Sequence, residues 1–516
     1  LLIESVDKRS LVWLVGAGVS MSPPCSLPSG PQIKDLAVGA ICKADQLQKY
    51  WSVIHRSPKF KNIIPEIVFQ RIFECIGPKL FAFFDLLRFA PANVNHKVLA
   101  ALYQVKGTPI LTTNFDQLID QYLSLEHSVV HLHGHIRDVQ QMTITINRVG
   151  KGLHIDTSKT LHHLVKAKAV CVVGYSGNDD DVRRALISSD AETILWLVRD
   201  WNDRVMANLG HLNSYRGRVF VSKWDIRSML RALSRFYRLD VGVVGSRQSL
   251  IPKKDATAEA WARSLSLADR YACVSKLLIE VEEYKLSSDS AEEGFRVAKA
   301  KKGWFKNQSA FAMRMVGDFR HFKKFAEQAI SCNRAESNSF GLAMAYNLLG
   351  LSYLEKAKSE PRKATPFFRR ALSILNRHAA RTRPAQQEFH ILMSQILNNL
   401  GLSLRHEGKE ALALKAYKRS LQLKRRTGDL LGFSQTCINI SLFYYRQRNF
   451  TLAYRWRKKA LDLITKLNLD FQEAYLLREM GSAACEQGRL RAGKHLLRAA
   501  LQKYKQIGTS SFGISL

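Results

Sequence analysis

The sequence contains no Cys-x-x-Cys pair, although it has eight cysteines. Structural zinc sites of the ribbon and finger types need such pairs, so we expect no zinc. No apolar run approaches the ~18 residues that a membrane-spanning helix requires, and the chain does not open with a secretion signal. We therefore expect a cytoplasmic protein with reduced cysteines and no membrane association.

Acidic residues are scarce relative to basic ones. The chain has 44 Asp and Glu against 78 Lys and Arg, which gives a formal net charge of +34. Residues 251–516 hold 47 of the basic and 23 of the acidic residues, so most of the excess lies in the second half. Such a surface favours nucleic acid or an acidic protein as a partner. A basic helical surface that only faces solvent is the alternative, and composition leaves both open.

Residues 1–245 alternate short apolar runs with helical stretches. Continuous apolar runs followed by glycine or polar residues are typical of buried parallel strands. The pattern predicts an α/β domain with a Rossmann-like parallel sheet. Residues 31–105 are too long for one crossover connection and predict an inserted helical module. The predicted strands are 11–18, 108–115, 128–134, 169–176, 193–198 and 217–223.

The second half of the chain repeats. Glycine, serine, proline and lysine mark a predicted linker over 246–260, and residues 261–516 lack strand-like alternation. Small residues recur every 40 positions in segments that begin at 398, 438 and 478, where two helices of a hairpin would approach closely. These small residues are Gly401, Ser441 and Gly481; Ala413, Ala453 and Gly493; and Ser420, Ala460 and Ala500. The spacing predicts an all-α helix–turn–helix solenoid that resembles tetratricopeptide repeats with a longer period.

The first predicted strand ends in GAGVS, residues 16–20. Gly16 and Gly18 would let backbone N–H groups approach a pyrophosphate at a helix N-terminus. The third glycine of the dehydrogenase fingerprint is absent, since Met21 stands there, and no acidic residue follows about 20 residues on. These absences disfavour a nicotinamide-dependent dehydrogenase.

Three further motifs follow predicted strands: TTNFD over 112–116, HLHGH over 131–135 and VVGYSGNDDD over 172–181. The carboxyl ends of parallel strands meet in one crevice, so we expect these motifs to converge with GAGVS. His131, His133 and His135 alternate, which predicts that they share one strand face. The three could hold a metal ion, or one could act as a catalytic base.

The motif order GAG-x-S, T-x-N-x-D, H-G and G-Y-S-x-x-D over residues 8–240 resembles the sirtuin-like superfamily of NAD-binding domains. The resemblance implies that Asn114 faces the nicotinamide ribose and that His133 is the catalytic histidine. The cofactor-binding residues that it implies are Gly16, Ala17, Gly18, Ser20, Pro28, Thr113, Asp116, Gly174, Ser176 and Asp179.

Two departures from sirtuins narrow the expected activity. SLPSGPQ over 26–32 keeps Pro28 but lacks the Phe-Arg pair that sirtuins carry, a form similar to the bacterial branch. No Cys-x-x-Cys pairs lie between His133 and Gly174, so the zinc module that helps to build the acyl-lysine tunnel is absent. Protein deacylation is therefore disfavoured, and NAD is expected as a substrate.

The expected reaction is hydrolysis of the nicotinamide–ribose bond of NAD. Sirtuin-like domains fused to repeats resemble bacterial antiviral effectors that deplete NAD. That resemblance implies a homo-oligomer whose basic repeats receive an activating partner, either a phage protein or nucleic acid. Two alternatives stay open. The sirtuin-like domain could be inert on a basic binding scaffold, or it could be a zinc-free deacylase or ADP-ribosyltransferase.

Overall fold

The computed structural model describes most of the chain as two compact units, Leu1–Leu286 and Ser287–Leu516. The described residues are 1–88, 90–123, 129–139, 141–149, 152–177, 179–201, 209–210, 212, 215–241, 254–355, 359–381, 387–466 and 470–506. None of the helices in these ranges is long and apolar enough to cross a bilayer.

The N-terminal unit contains a six-stranded sheet. Its strands are β1 Leu11–Val15, β2 Ile110–Thr112, β3 Val129–His131, β4 Ala169–Val173, β5 Thr193–Val198 and β6 Arg218–Lys223. They run in the order β3-β2-β1-β4-β5-β6, and every neighbouring pair is parallel. Each strand falls within a predicted apolar run, which confirms the predicted Rossmann-like sheet. The strand order reverses between β1 and β4, and this is where such sheets bind ligands.

Helices cover both faces of the sheet. The helices of this unit are α1 Leu2–Asp7, α2 Gly30–Ile41, α3 Gln48–Arg56, α4 Pro58–Asn62, α5 Pro65–Ile76, α6 Val94–Lys106, α7 Ile146–Val149, α8 Ile155–Val165, α9 Asp180–Ile187, α10 Ile226–Phe236, α11 Lys254–Ser264 and α12 Leu267–Glu280. Short 3₁₀ helices span Ala17–Val19, Asp45–Leu47, Gly77–Leu87 and Asp120–Tyr122. Alternate residues of β1 enter different cores: Trp13 packs with α6 and α10, and Leu14 packs with α8 and α9. This double burial explains why the strands are continuously apolar.

Helices α3–α5, and α2 apart from its first residue, lie within the range predicted for the inserted module. Helices α11 and α12 pack against this module. The Trp261 indole Nε1–H donates to the Lys79 carbonyl at 2.9 Å, and its ring lies 4.9 Å from that of Phe83. Arg270 Nε–H donates to the Ile41 carbonyl at 2.8 Å. Because these helices bury their apolar faces against the module, the division between units falls after Leu286, downstream of the predicted linker. Linker residues 246–253 lie outside the described residues, and 254–260 begin α11.

The C-terminal unit is a run of antiparallel helix hairpins that resemble tetratricopeptide repeats, as predicted. Its helices follow α13 Tyr284–Val297 and are α14 Lys302–Val316, α15 Phe319–Ala335, α16 Ser339–Leu354, α17 Pro361–Arg381, α18 Gln387–His406, α19 Glu410–Thr427, α20 Leu430–Arg446, α21 Phe450–Lys466, α22 Asp470–Glu486 and α23 Leu490–Gln506. A Cβ on Gly350 would lie 2.7 Å from Phe368 Cε1, and one on Gly401 would lie 2.7 Å from Tyr417 Cδ1. The repeated small residues thus leave room for a ring from the second helix of the hairpin.

Candidate functional site

The loops after β1 and β4 touch at the point where the strand order reverses. Gly16 N–H donates to the Val173 carbonyl at 2.9 Å, and Gly18 N–H donates to the Gly174 carbonyl at 2.8 Å. A Cβ on Gly16 would lie 2.6 Å from the Gly174 oxygen. Gly174 itself has φ +65°, a conformation that favours glycine. Contact between backbones therefore explains these three glycines, and the amides of Gly16 and Gly18 already have partners.

Ser20, predicted to bind the cofactor, is fully buried in a polar network. Its hydroxyl donates to Asp116 Oδ2 at 3.0 Å, and its oxygen lies 2.9 Å from His96 Nε2 and 3.3 Å from Asn114 Nδ2. A hydroxyl has one donor and two acceptor positions, so these contacts satisfy it. The network joins the loops after β1 and β2 to the start of α6. It brings together three predicted residues and one, His96, that sequence reasoning missed.

The hydrogen bonds of His96 define its tautomer. Asn93 N–H donates to His96 Nδ1 at 3.0 Å, so a neutral ring carries its proton on Nε2 and donates to Ser20. Burial lowers the pKa of His96 to about 3, which keeps the ring neutral. His96 therefore does not accept a proton from Ser20, and Ser20 is not an activated nucleophile. The Asn93-x-x-His96 capping box at the start of α6 was a signal that could have located this histidine.

Asn114 carries an unpaired acceptor at the end of β2. Its side chain is 8% exposed, and its Nδ2 donates to Ser20. Its Oδ1 is buried and has no hydrogen-bond partner among the described residues. An unpaired buried polar atom costs about 1–3 kcal/mol and calls for an explanation such as a ligand. Asn114 Oδ1 is thus available to accept a hydrogen bond from a ligand in the predicted crevice.

The three alternating histidines do not share one face, so that expectation was wrong. β3 ends at His131, and Gly134, with φ +77°, turns the chain beyond it. His131 Nδ1 lies 3.0 Å from the Asn114 carbonyl, its Nε2 lies 3.3 Å from Asp120 Oδ1, and its ring contacts that of His135. His133 instead contacts the loop after β4. No group of three or more His, Cys, Asp and Glu side chains is placed to hold a metal ion in the described ranges.

His133 forms a buried ion pair with Asp181. Its Nε2 lies 3.2 Å from both carboxylate oxygens, and the two residues are 5% and 3% exposed. Burial alone would lower the pKa of His133, but the charge and hydrogen bond of Asp181 raise it to about 9. The same pairing outweighs burial at Asp181 and lowers its pKa. In this arrangement His133 is an imidazolium at neutral pH.

Two more carboxyl groups act on this ion pair. Burial raises the pKa of Asp179, one of the predicted cofactor-binding residues. Burial and the nearby charge of Asp179 raise the pKa of Glu66, in the first turn of α5, to about 7. Sequence reasoning missed Glu66 and Asp181. Asp181 lay in the quoted run of acidic residues, whereas nothing in the local sequence around Glu66 distinguishes it.

The other predicted cofactor-binding residues surround this crevice with varied exposure. Ala17 and Ser176 are exposed at the ends of β1 and β4. Thr113 is half-buried, and its N–H donates to the Val15 carbonyl at 3.0 Å. Pro28 is half-buried in the loop that precedes α2. The predicted residues therefore occupy the carboxyl ends of β1, β2, β3 and β4 and the loop before α2.

Two basic residues of the repeats are buried and do not contribute to the basic surface. Lys424 is 2% exposed and donates from Nζ to the Gly432 carbonyl and Thr436 Oγ1, each at 2.8 Å. Arg457 is 6% exposed, donates to the Glu479 carbonyl at 3.3 Å and lies over the Tyr445 ring. The basic residues that lie next to them in α19 and α21 are exposed. These exposed residues are Arg425, Arg426, Arg455, Lys458 and Lys459.

Comparison with known proteins gives few relatives. No family model matches the chain. The uncharacterized protein y4cA of Sinorhizobium fredii is 24% identical over a match that covers 36% of this chain and 18% of that protein. The chain therefore spans less than a fifth of the length of the curated relative that it matches.

One similar solved structure is a signal transduction ATPase with numerous domains (STAND) from Pyrococcus horikoshii, which has a tetratricopeptide repeat sensor. It is 10% identical with a TM-score of 0.36, and the match covers 97% of this chain and 92% of that chain. The apo form of RapI is 14% identical with a TM-score of 0.37, covering 54% and 96%. BtubC from P. vanneervenii is 18% identical with a TM-score of 0.35, covering 44% and 90%. These scores are below 0.5, and the fold assignment rests on the strand order and helix hairpins described above.

Proposed function

We propose that the N-terminal unit binds NAD at the carboxyl edge of its sheet and hydrolyses the nicotinamide–ribose bond. The observation that carries this proposal is the buried Asn114 Oδ1, which has no hydrogen-bond partner in the described part of the chain and follows β2 beside the reversal of strand order. The sirtuin-like motif order supports it, since all four motifs follow β1, β2, β3 and β4. A ribose hydroxyl is a donor that could satisfy this oxygen.

In the proposed reaction, a water oxygen bonds to ribose C1′ as the C1′–nitrogen bond breaks. Nicotinamide leaves as a neutral molecule, ADP-ribose forms, and one proton is released. The transition state resembles an oxocarbenium ion, so neighbouring carboxylates stabilise it. Asn114 would orient the ribose or the water molecule.

The proton of the attacking water needs an acceptor. His133 was the predicted base, but its pairing with Asp181 raises its pKa to about 9, so it already holds a proton at neutral pH. Glu66 belongs to the same electrostatic cluster, and its pKa of about 7 suits proton transfer near neutrality. We therefore assign proton acceptance to Glu66. His133 would position the Asp181 carboxylate, which lies 3.2 Å from its Nε2.

The C-terminal unit would regulate this activity. We propose that its repeats hold a homo-oligomer and receive an activating phage protein or nucleic acid, as in an antiviral effector that depletes NAD. The exposed basic residues of α19 and α21 support a basic docking surface. They are the residues that an acidic partner would contact.

The test combines NAD binding by calorimetry with nicotinamide release by the purified full-length chain, alone and with nucleic acid or phage lysate. Asn114→Ala and Glu66→Gln should each lower turnover by about 10²-fold or more, the scale of losing a positioned catalytic group. His133→Ala should lower turnover as well, because Asp181 then loses the partner that positions it. Asn62→Ala and His154→Ala are matched controls, because both residues are exposed. Glu66→Gln should lower turnover without weakening NAD binding, whereas Asn114→Ala should weaken both.

A second candidate is an inert sirtuin-like domain on a basic binding scaffold. The saturated amides of Gly16 and Gly18 and the protonated state of His133 favour it, because neither group is then available to a substrate. A catalytically inert domain would release no nicotinamide under any of these conditions, and absence of NAD binding by calorimetry would also reject the NAD site. Binding without nicotinamide release, in all arms, would reject hydrolysis while retaining the binding site.

A further inference from the structure

Three buried polar atoms without partners lie within one hairpin of the C-terminal unit. Arg405, near the end of α18, has no hydrogen-bond acceptor for Nε or Nη1 among the described residues. Tyr417, in α19, is fully buried, and its hydroxyl also has no partner there. Each unpaired buried group costs about 1–3 kcal/mol, and more when it is charged. The presence of three such atoms in one hairpin indicates that a bound ligand satisfies these donors.

The charges around these atoms are all positive. Arg405 and Tyr417 interact electrostatically with each other and with Arg446 at the end of α20. Arg405 Nη2 lies 3.4 Å from His406 Nε2, which fits a neutral imidazole that accepts this bond. Burial and then the two arginines lower the pKa of His406, which keeps it neutral. Among the described residues, neither Arg405 nor Arg446 forms an ion pair with a carboxylate.

Hairpin packing does not require the Tyr417 hydroxyl. The ring of Tyr417 fills the space above Gly401, as the ring of Phe368 fills the space above Gly350 in the preceding hairpin. Phe368 makes this contact without a hydroxyl group and is equally buried. Tyr417 therefore has one polar atom more than its packing role needs.

We propose that Arg405, Arg446 and Tyr417 form a binding site for a phosphate group, supplied as free phosphate or as a small phosphomonoester. Two guanidinium groups that have no counter-ion in the described ranges match the nearly double charge of a phosphate better than the single charge of a carboxylate. Three phosphate oxygens can accept from the unpaired N–H groups of Arg405 and from the Tyr417 hydroxyl. Arg446, which is exposed, would approach the phosphate from solvent. The site lies wholly in the repeat unit and does not depend on NAD chemistry.

The test titrates the full-length chain with inorganic phosphate, with glycerol 3-phosphate and with acetate, at constant ionic strength in chloride, by calorimetry and thermal unfolding. Both phosphates, or one of them, should bind saturably and raise the unfolding temperature, whereas acetate should not. Arg405→Gln and Arg446→Gln should each weaken binding at least tenfold. Tyr417→Phe, which keeps the ring on Gly401, should weaken it severalfold. Arg362→Gln removes one exposed charge from α17, in the preceding hairpin, and should bind as the wild type does.

Free phosphate and the monoester separate the two sources: binding of the monoester alone identifies an esterified ligand. Absence of saturable binding of either phosphate overturns the proposal. Equal binding of acetate overturns the assignment to phosphate, and an equal loss of binding in Arg362→Gln shows that only net charge matters, which also overturns the site. Tyr417→Phe keeps the ring that packs on Gly401, so this variant should fold even if the arginine variants do not. If it folds and binds phosphate as tightly as the wild type, the proposed site is contradicted.

Discussion

The two units use small residues against different neighbours. In the N-terminal unit, Gly16, Gly18 and Gly174 allow one backbone to touch another. In the repeats, Gly350 and Gly401 allow a helix to receive the ring of Phe368 or Tyr417. A ring can shift slightly about its side-chain torsions, but two hydrogen-bonded loops at a sheet edge cannot separate without breaking their bonds. The same chemical change should therefore cost much more at the sheet than in the solenoid.

The largest expected effect is that of Gly16→Ala. The new methyl group would lie 2.6 Å from both the Gly174 oxygen and Tyr175 Cα. Overpacking costs typically 1–3 kcal/mol and occasionally more, and we expect at least about 3 kcal/mol here because backbone atoms must move. Urea unfolding of the full chain measures this loss.

The matched control for Gly16→Ala is Gly39→Ala in α2 of the same unit. A Cβ there would lie 3.6 Å from the Trp51 ring, which is an ordinary contact. Alanine is also the better helix former by up to about 1 kcal/mol, so this variant should be neutral or more stable. Equal stability of the two variants would show that the β1 and β4 loops are not held together as described.

The second contrast is in pH dependence, where the two units should respond with opposite signs. His133 has a pKa raised from 6.5 to about 9, so between these values the folded state holds a proton that the unfolded state has lost. Its contribution is complete below pH 6.5 and is lost as pH rises to about 9. Lys424 has a pKa that burial lowers from 10.5 to about 8, so the unfolded state holds the extra proton. Stability of the repeats should therefore increase as pH rises from 8 to 10.5.

Each shift corresponds to at most about 3–4 kcal/mol, at about 1.4 kcal/mol per pKa unit. The measurement is urea unfolding from pH 6 to 10, with each variant compared with the wild type so that other titrating groups cancel. His133→Gln should remove the loss of stability above pH 6.5, and Lys424→Met should remove the gain above pH 8. If the difference in the free energy of unfolding between His133→Gln and the wild type does not change with pH, the ion pair with Asp181 is contradicted.

The periodicity of the sequence predicted the strands and the repeat helices but not the partners of the polar side chains. The strands were predictable because burial on both faces imposes continuous apolar runs such as 11–15 and 169–173. The orientation of His133 was not, because β3 stops at His131 and Gly134 redirects the chain. Glu66 joins the cluster from a helix far away in sequence, which no local pattern reports.

The burial of two repeat cations could have been predicted from the 40-residue period. Arg457 stands 40 positions after Tyr417, and Lys424 stands 40 positions before the buried Ile464. Both register positions face the interior of the hairpins, so the residues there were poor candidates for a surface patch. Charge composition counts cations without assigning them to a helix face, whereas the repeat register assigns them.

The smallest expected effect is that of Gly401→Ala, because here a ring rather than a backbone must move. The new methyl group would lie 2.7 Å from Cδ1 and Cε1 of Tyr417. Overpacking of about 1–3 kcal/mol is offset by about 1 kcal/mol of helix propensity, so we expect a net loss of about 1 kcal/mol by urea unfolding. The next repeat shows that a larger small residue is accepted where the ring is absent. Forty residues after Gly401 stands Ser441, and 40 residues after Tyr417 stands Arg457. Tyr417→Leu should therefore relieve the clash, and the double variant should be more stable than the sum of the single losses. Strict additivity of the two changes would mean that Gly401 is not retained for this ring, and the contrast between the units would then lose its physical basis.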